Sequence, residues 1–204
     1  MNKIKVLYDV VKTMKKKEII NGIMNLEVVN GETKVVSFSN EFTRNTVDGT
    51  LKAKISKEIN MDGNKVKHET NADLNVKDCP FHKFHHGEHM RHGHKFSKAL
   101  FMLNALNNLT AEEKGDKTIL SLDLKEVLKE GKELKAEFHK HHQGCEGKQE
   151  FGAHKHHEFI KKFLCEEYET AILNVTVNKA SEIENIQVSA NGENIINGSV
   201  NFTW

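Results

Sequence analysis

Three dipeptides that are typical of hairpin turns divide residues 19–77 into four extended segments. They are Asn30-Gly31, Asp48-Gly49 and Asp62-Gly63. Asn, Asp and Gly tolerate the positive φ angles that a tight two-residue turn requires. Because each such turn reverses the chain, the sequence predicts four consecutive strands that form an antiparallel meander.

Apolar and polar residues alternate within these segments. In the third segment one face carries Leu51, Ala53, Ile55, Ile59 and Met61, and the other carries Thr50, Lys52, Lys54, Ser56 and Glu58. In the fourth segment Val66, Thr70, Ala72, Leu74 and Val76 share a face. A period of two with one polar side predicts a sheet that packs through one face only. His68 lies on that apolar face, which favours a core or cavity-lining histidine.

Apolar residues at helical spacing predict several helices. Ile4, Leu7, Val11 and Met14 form a stripe on a lysine-rich N-terminal helix. A second helix is predicted over 96–109, with Ser97 as its N-cap and Ala99, Leu100, Leu103 and Leu106 on its buried face. Further helices are predicted over 126–138 and around Phe159, Ile160, Phe163 and Leu164. The apolar run 119–124 fits either a strand or the start of a helix.

The C-terminal part returns to strands. Alternation over 173–178 and 186–190, the turn Asn191-Gly192 and the residues Val200, Phe202 and Trp204 predict three of them. The predicted fold class is α+β: a curved antiparallel sheet, made of the N-terminal meander and the three C-terminal strands, covered on one face by helices. A single proline and the lack of a linker favour one domain over 1–204, with a histidine-rich helical or loop section at about 79–165.

Twelve of the thirteen histidines lie in two windows. The first window holds His82, His85, His86, His89, His92 and His94, and the second holds His139, His141, His142, His154, His156 and His157. Neutral imidazole is a common ligand for divalent transition metals. The first four histidines have the spacing of one helix face, whereas pairs two residues apart suit an extended segment.

Cys79 and Cys145 could each add a thiolate to the histidines. A set of many imidazoles and few thiolates favours zinc, nickel, cobalt or copper as the bound divalent ion, without selecting among them. Because no known zinc motif is matched, solvated polar loops, haem ligation and pH sensing stay open as alternatives. A further alternative is an interaction module in which metal bridges two copies of the chain as a homodimer.

Other function classes find little support. No nucleophile elbow, phosphate-binding glycine loop or dinucleotide fingerprint is present, so we expect a binding protein and not an enzyme. The net charge of +1 gives no basic surface for nucleic acid. No segment has the length and apolarity of a membrane span, and the N-terminus lacks an apolar signal region, which together favour a cytoplasmic protein.

The order of elements resembles the bacterial lipoprotein-carrier superfamily of LolA- and LppX-like half-barrels. The resemblance rests on the helix from Ile4 to Met14 followed by the three hairpin turns. It implies that lipid or another apolar ligand is held between a concave sheet and its helices, and it assigns no individual ligand residue. The alternative function is therefore a carrier whose cavity is lined by Leu51, Ile55, Leu74, Leu100, Leu103, Val175 and Phe202.

Overall fold

Nine strands and one long helix make up most of the part of the chain that the structure describes. The computed structural model of the chain describes residues 2–61, 64–75, 102–127 and 168–204. Helix α1 spans Lys3–Met14, and residues 102–108 and 124–127 are also helical. The strands are β1 (Ile19–Asn30), β2 (Thr33–Asn45), β3 (Thr50–Met61), β4 (Asn64–Asn75), β5 (Leu109–Lys114), β6 (Lys117–Asp123), β7 (Thr170–Asn178), β8 (Ile183–Asn191) and β9 (Asn194–Thr203).

All nine strands belong to one antiparallel sheet, in the order β4-β3-β2-β1-β9-β8-β7-β6-β5. The N-terminal meander and the three C-terminal strands are confirmed, and β1 pairs with β9 along its length. The ambiguous run 119–124 forms β6, followed by a helical turn. Since β4 and β5 lie at opposite edges and do not pair, the sheet is open within the described part of the chain.

Glycines with positive φ angles lie in the first two predicted turns. Gly31 has a φ of 58° and Gly49 a φ of 83°, values that glycine adopts without steric cost. The first loop consists of Gly31 and Glu32, because Asn30 still belongs to β1. The predicted turn at 62–63 lies outside the described residues. The second loop comprises residues 46–49 and is longer than the predicted two-residue turn. Sequence and structure therefore agree on the positions of the β1–β2 and β2–β3 hairpins, and on a two-residue loop at the first of them.

The register places most of the apolar strand residues on one face of the sheet, with exceptions such as Ile23, Ile172 and Ile195 on the other. A cross-strand row of directly paired residues runs through Val36, Val28, Ile196, Ala190 and Ala171. Four of these five are buried, Val28 to 3 % exposure. The opposite face carries mostly Asn, Ser, Thr, Lys and Glu, as the alternation predicts.

Helix α1 packs on the apolar face over β5–β7. The Asn2 side chain caps it by accepting hydrogen bonds from the backbone N–H groups of Ile4 and Lys5. Val10 forms a buried cluster with Leu120 and Val177. Val6, Leu7 and Met14 pack around that cluster.

Two residues of the predicted apolar stripe on α1 are exposed. Ile4 is 63 % and Val11 51 % accessible, whereas Leu7 and Met14 contact the core as predicted. The side of the helix that meets the sheet is centred on Val10, one residue before Val11 and so about 100° around the axis. The predicted position of the helix is confirmed, whereas its predicted contact face is partly wrong.

The middle of the chain contains a strand where the sequence predicts the end of a helix. The helical residues end at 108, and Leu109 begins β5, which pairs with β6 around a turn where Gly115 has a φ of 60°. Leu103, predicted to be buried, is 58 % exposed. Of the predicted helix 126–138 only its first two residues are described, and both are helical. No helix in the described ranges is long and apolar enough to cross a bilayer.

Candidate functional site

Three of the four elements that flank the histidine windows meet at one corner of the sheet, whereas β4, which precedes the first window, lies at the opposite edge. The first window precedes residues 102–108, which lead into β5 at Leu109, and the second lies between β6 and β7. Leu109 pairs with Leu122, near the end of β6. Asp123, the last residue of β6, pairs with Ile172 near the start of β7. The described elements after the first window and on both sides of the second therefore lie near the corner where β5 begins, β6 ends and β7 begins.

Two lysine side chains link the elements at this corner through hydrogen bonds to backbone carbonyl oxygens. The Lys3 ammonium donates to the carbonyl oxygens of Asn107 (3.1 Å) and Leu109 (2.9 Å), which links the start of α1 to the entry of β5. The Lys125 ammonium donates to the Glu169 carbonyl oxygen at 3.1 Å. Lys125 and Glu169 lie on either side of the second window, so that bond joins the described segments before and after it.

The predicted metal ligands all fall outside the described residues. These are Cys79, His82, His85, His86, His89, His92, His94, His139, His141, His142, Cys145, His154, His156 and His157. Within residues 2–61, 64–75, 102–127 and 168–204, no group of three or more His, Cys, Asp or Glu side chains is arranged to hold a metal ion. His68, on β4, is exposed and is not a core histidine.

Most of the predicted cavity-lining residues share the apolar face of the sheet. The strand registers place Leu51, Ile55, Leu74, Val175 and Phe202 on it. Leu103 lies in the helical residues 102–108, and Leu100 is outside the described part of the chain. The apolar face extends from β4 to β7, well beyond the strands that α1 contacts.

One polar side chain on this face was not predicted. Asn40 of β2 lies opposite Met24 and Ile55 in the register, among apolar residues. Its side-chain oxygen is buried and accepts no hydrogen bond from any described residue. A buried amide without a partner is costly, so such a group often meets a water or a ligand. The detectable signal is a polar residue at an apolar position of the alternation Phe38-x-Asn40-x-Phe42.

An ion pair and an aromatic contact connect the residues that follow α1 to the C-terminal part of the sheet. The Lys17 ammonium makes an ion pair with Glu182 and lies 4.7 Å from the centre of the Trp204 ring. The Trp204 indole donates to the Ile183 carbonyl oxygen at 2.9 Å and stacks on Phe202. Hydrogen bonds from Lys17, and then from Asn178, hold the pKa of the Glu182 carboxyl below its usual value. This contact joins the residues after α1 to the loop between β7 and β8 and to the end of β9.

Comparison with known proteins gives no assignment. No protein-family model matches the chain, and curated protein sequences give no significant match.

Proposed function

We propose that this chain is a metal-binding protein, and not an enzyme, which buffers, delivers or senses a divalent transition metal through its two histidine windows. The observation that carries the proposal is the placement of twelve of thirteen histidines in two segments, each of which has at least one neighbouring element at the same corner of the sheet. A site shared by both windows needs its ligands within a few ångströms of one ion, and anchoring at one corner supports that arrangement.

Chain length permits such a shared site. His94 is eight residues before Met102, and a chain extends by at most about 3.5 Å per residue, so these Cα atoms lie within about 28 Å of each other. By the same rule His139, twelve residues after Val127, lies within about 42 Å of Val127. These limits leave ample reach for both windows to approach each other near the corner.

Elemental analysis of two multiple variants tests the proposal. In one, the six histidines of the first window are replaced by Asn, and in the other the six of the second window. The protein carries no tag and is purified without chelator, and bound zinc, nickel, cobalt and copper are measured by mass spectrometry. A shared site predicts that either variant loses nearly all bound metal, whereas two separate sites predict loss of about half in each.

The matched control is His68→Asn, which removes the one histidine outside the windows from an exposed strand position. It should retain the metal content of the unmodified chain. If both multiple variants also retain that content, the windows do not bind the metal.

A second candidate function is the binding of a lipid or other apolar ligand between a curved sheet and helices that cover it, as in the half-barrel carriers that the sequence resembles. It is favoured by the extent of the apolar face and by Asn40, whose buried oxygen could accept a hydrogen bond from a polar group of the ligand. Native mass spectrometry of gently purified protein tests for co-purified lipid. Ile55→Asn, on the apolar face, should reduce it, whereas Ser56→Asn, on the opposite face, should not.

A further inference from the structure

Strand β4 forms an edge of the sheet and pairs, among the described strands, only with β3. Its side chains are exposed along its length, except for a half-buried Ala72. A long edge strand presents backbone donors and acceptors along its outer side and can pair with a further strand. The side chains of β4 indicate which strand would fit.

Two large apolar residues of β4 are exposed on the apolar face of the sheet. Val66, near the start of the strand, is 65 % exposed, and Leu74, near its end, is 47 % exposed. Cross-strand apolar pairs stabilise a sheet when their side chains are directly opposite. A partner strand should therefore carry apolar residues at matching positions.

The opposite face of β4 carries opposite charges towards its two ends. Lys65 and Lys67 lie in the first half, and Asp73 lies in the second. Lys67 makes an ion pair with Glu69 on the same strand, with a nitrogen–oxygen distance of 2.8 Å. Asp73 makes no ion pair with any described residue, although it lies opposite Lys52 in the register. An antiparallel copy of β4 would bring Asp73 next to a lysine.

We propose that two copies of the chain associate by antiparallel pairing of β4 with β4, around a two-fold axis at Thr70. In this register Val66 lies opposite Leu74 of the partner subunit, and Lys67 lies opposite Asp73 of the partner subunit. Both pairs occur twice because of the symmetry. The apolar faces of the two sheets then form one continuous surface.

Neighbouring registers fit less well. Keeping both apolar faces on the same side requires the axis to pass through a residue of β4. An axis at Glu69 places that residue opposite its own copy, and an axis at Asn71 places Glu69 opposite the partner's Asp73; both oppose like charges. An axis at His68 pairs only 64–72, which leaves Leu74 without a partner, whereas the axis at Thr70 pairs 65–75.

Light scattering coupled to size-exclusion chromatography tests the proposal with the full chain in excess chelator, which removes any metal-bridged dimer. We expect a concentration-dependent mass approaching twice 23.3 kDa. Lys67→Asp and Asp73→Lys each place like charges opposite one another at two symmetric positions, and each should weaken association by about tenfold or more. The double variant K67D/D73K exchanges the charges and should restore the dimer.

The control Lys12→Asp makes the same change in net charge as Lys67→Asp, at an exposed position of α1, and should leave association unchanged. Circular dichroism confirms that each variant is folded. A monomer at all concentrations in chelator overturns the proposal, as does a double variant that stays as weak as the single ones. Assemblies larger than a dimer would indicate that β4 pairs with another edge, such as β5, and would also overturn it.

Discussion

The two ends of the sheet have the same alternating pattern but different burial. Under α1, Leu120 of β6 and Val177 of β7 are 3 % and 2 % exposed. On β4, at the other end, Val66 and Leu74 occupy the same face of the same sheet and are 65 % and 47 % exposed. Alternation therefore specifies which side of a strand is apolar, whereas burial depends on a packing partner elsewhere in the chain.

The largest expected difference is between two leucine-to-alanine substitutions, one in each region. Leu120→Ala leaves a cavity beneath α1 and should reduce the free energy of unfolding by about 3 kcal/mol. Leu74→Ala removes a side chain that is already half exposed and should cost less than about 1 kcal/mol. Urea unfolding at low protein concentration measures both values. Equal losses would mean that Leu74 is as well packed as Leu120.

A smaller difference tests the contact face of α1. Val10→Ala removes a buried side chain from the cluster with Leu120 and should cost about 2 kcal/mol. Val11→Ala changes the same atoms at an exposed position, where the better helix propensity of Ala offsets the lost contacts, so stability should change by less than about 0.5 kcal/mol. If Val11→Ala cost more stability than Val10→Ala, α1 would pack through the stripe that the sequence predicts.

The smallest expected effect concerns the Glu182 contact at the end of α1. Because the pKa of Glu182 is lowered in the folded chain, its ionised form stabilises the fold above the ordinary value of 4.5. That contribution is lost as the pH falls through the lower folded value. Glu182→Gln should therefore unfold at lower urea concentration than the unmodified chain at pH 7.

At strongly acidic pH the two proteins should unfold at nearly the same urea concentration. The matched control is Glu113→Gln, which removes a carboxylate from an exposed position on β5. If the difference between Glu182→Gln and the unmodified chain persists at acidic pH, the amide substitution acts through packing and not through charge.

The N-terminal meander could be predicted because its information is local. Each hairpin carries its own turn residues, and the alternation in 51–61 and 64–75 is long enough to fix the faces. Strand β5 was missed because its sequence, Leu109 to Lys114, has only two apolar residues and follows a helical pattern. The position of Gly115 after a short alternating segment was the available signal.

The candidate site, like the fold, could be predicted only where the information is local. The metal-ligand windows are a compositional feature, and the sequence alone reveals them, whereas the convergence of β5, β6 and β7 at one corner depends on long-range pairing. The exposure of Ile4 and Val11 could not be predicted either. Both fit a helical stripe, and the side that packs is decided by where α1 meets the sheet.

The pairing of β1 with β9 has a consequence for synthesis on the ribosome. Asn30 and Asn194, whose side chains share a hydrogen bond, are 164 residues apart in the chain. At about 5–20 residues per second, β1 is made roughly 8–33 s before its neighbour β9. The N-terminal meander therefore leaves the ribosome with β1 as an unpaired edge. During that interval we expect the nascent chain to need a chaperone, and the centre of the sheet to assemble last.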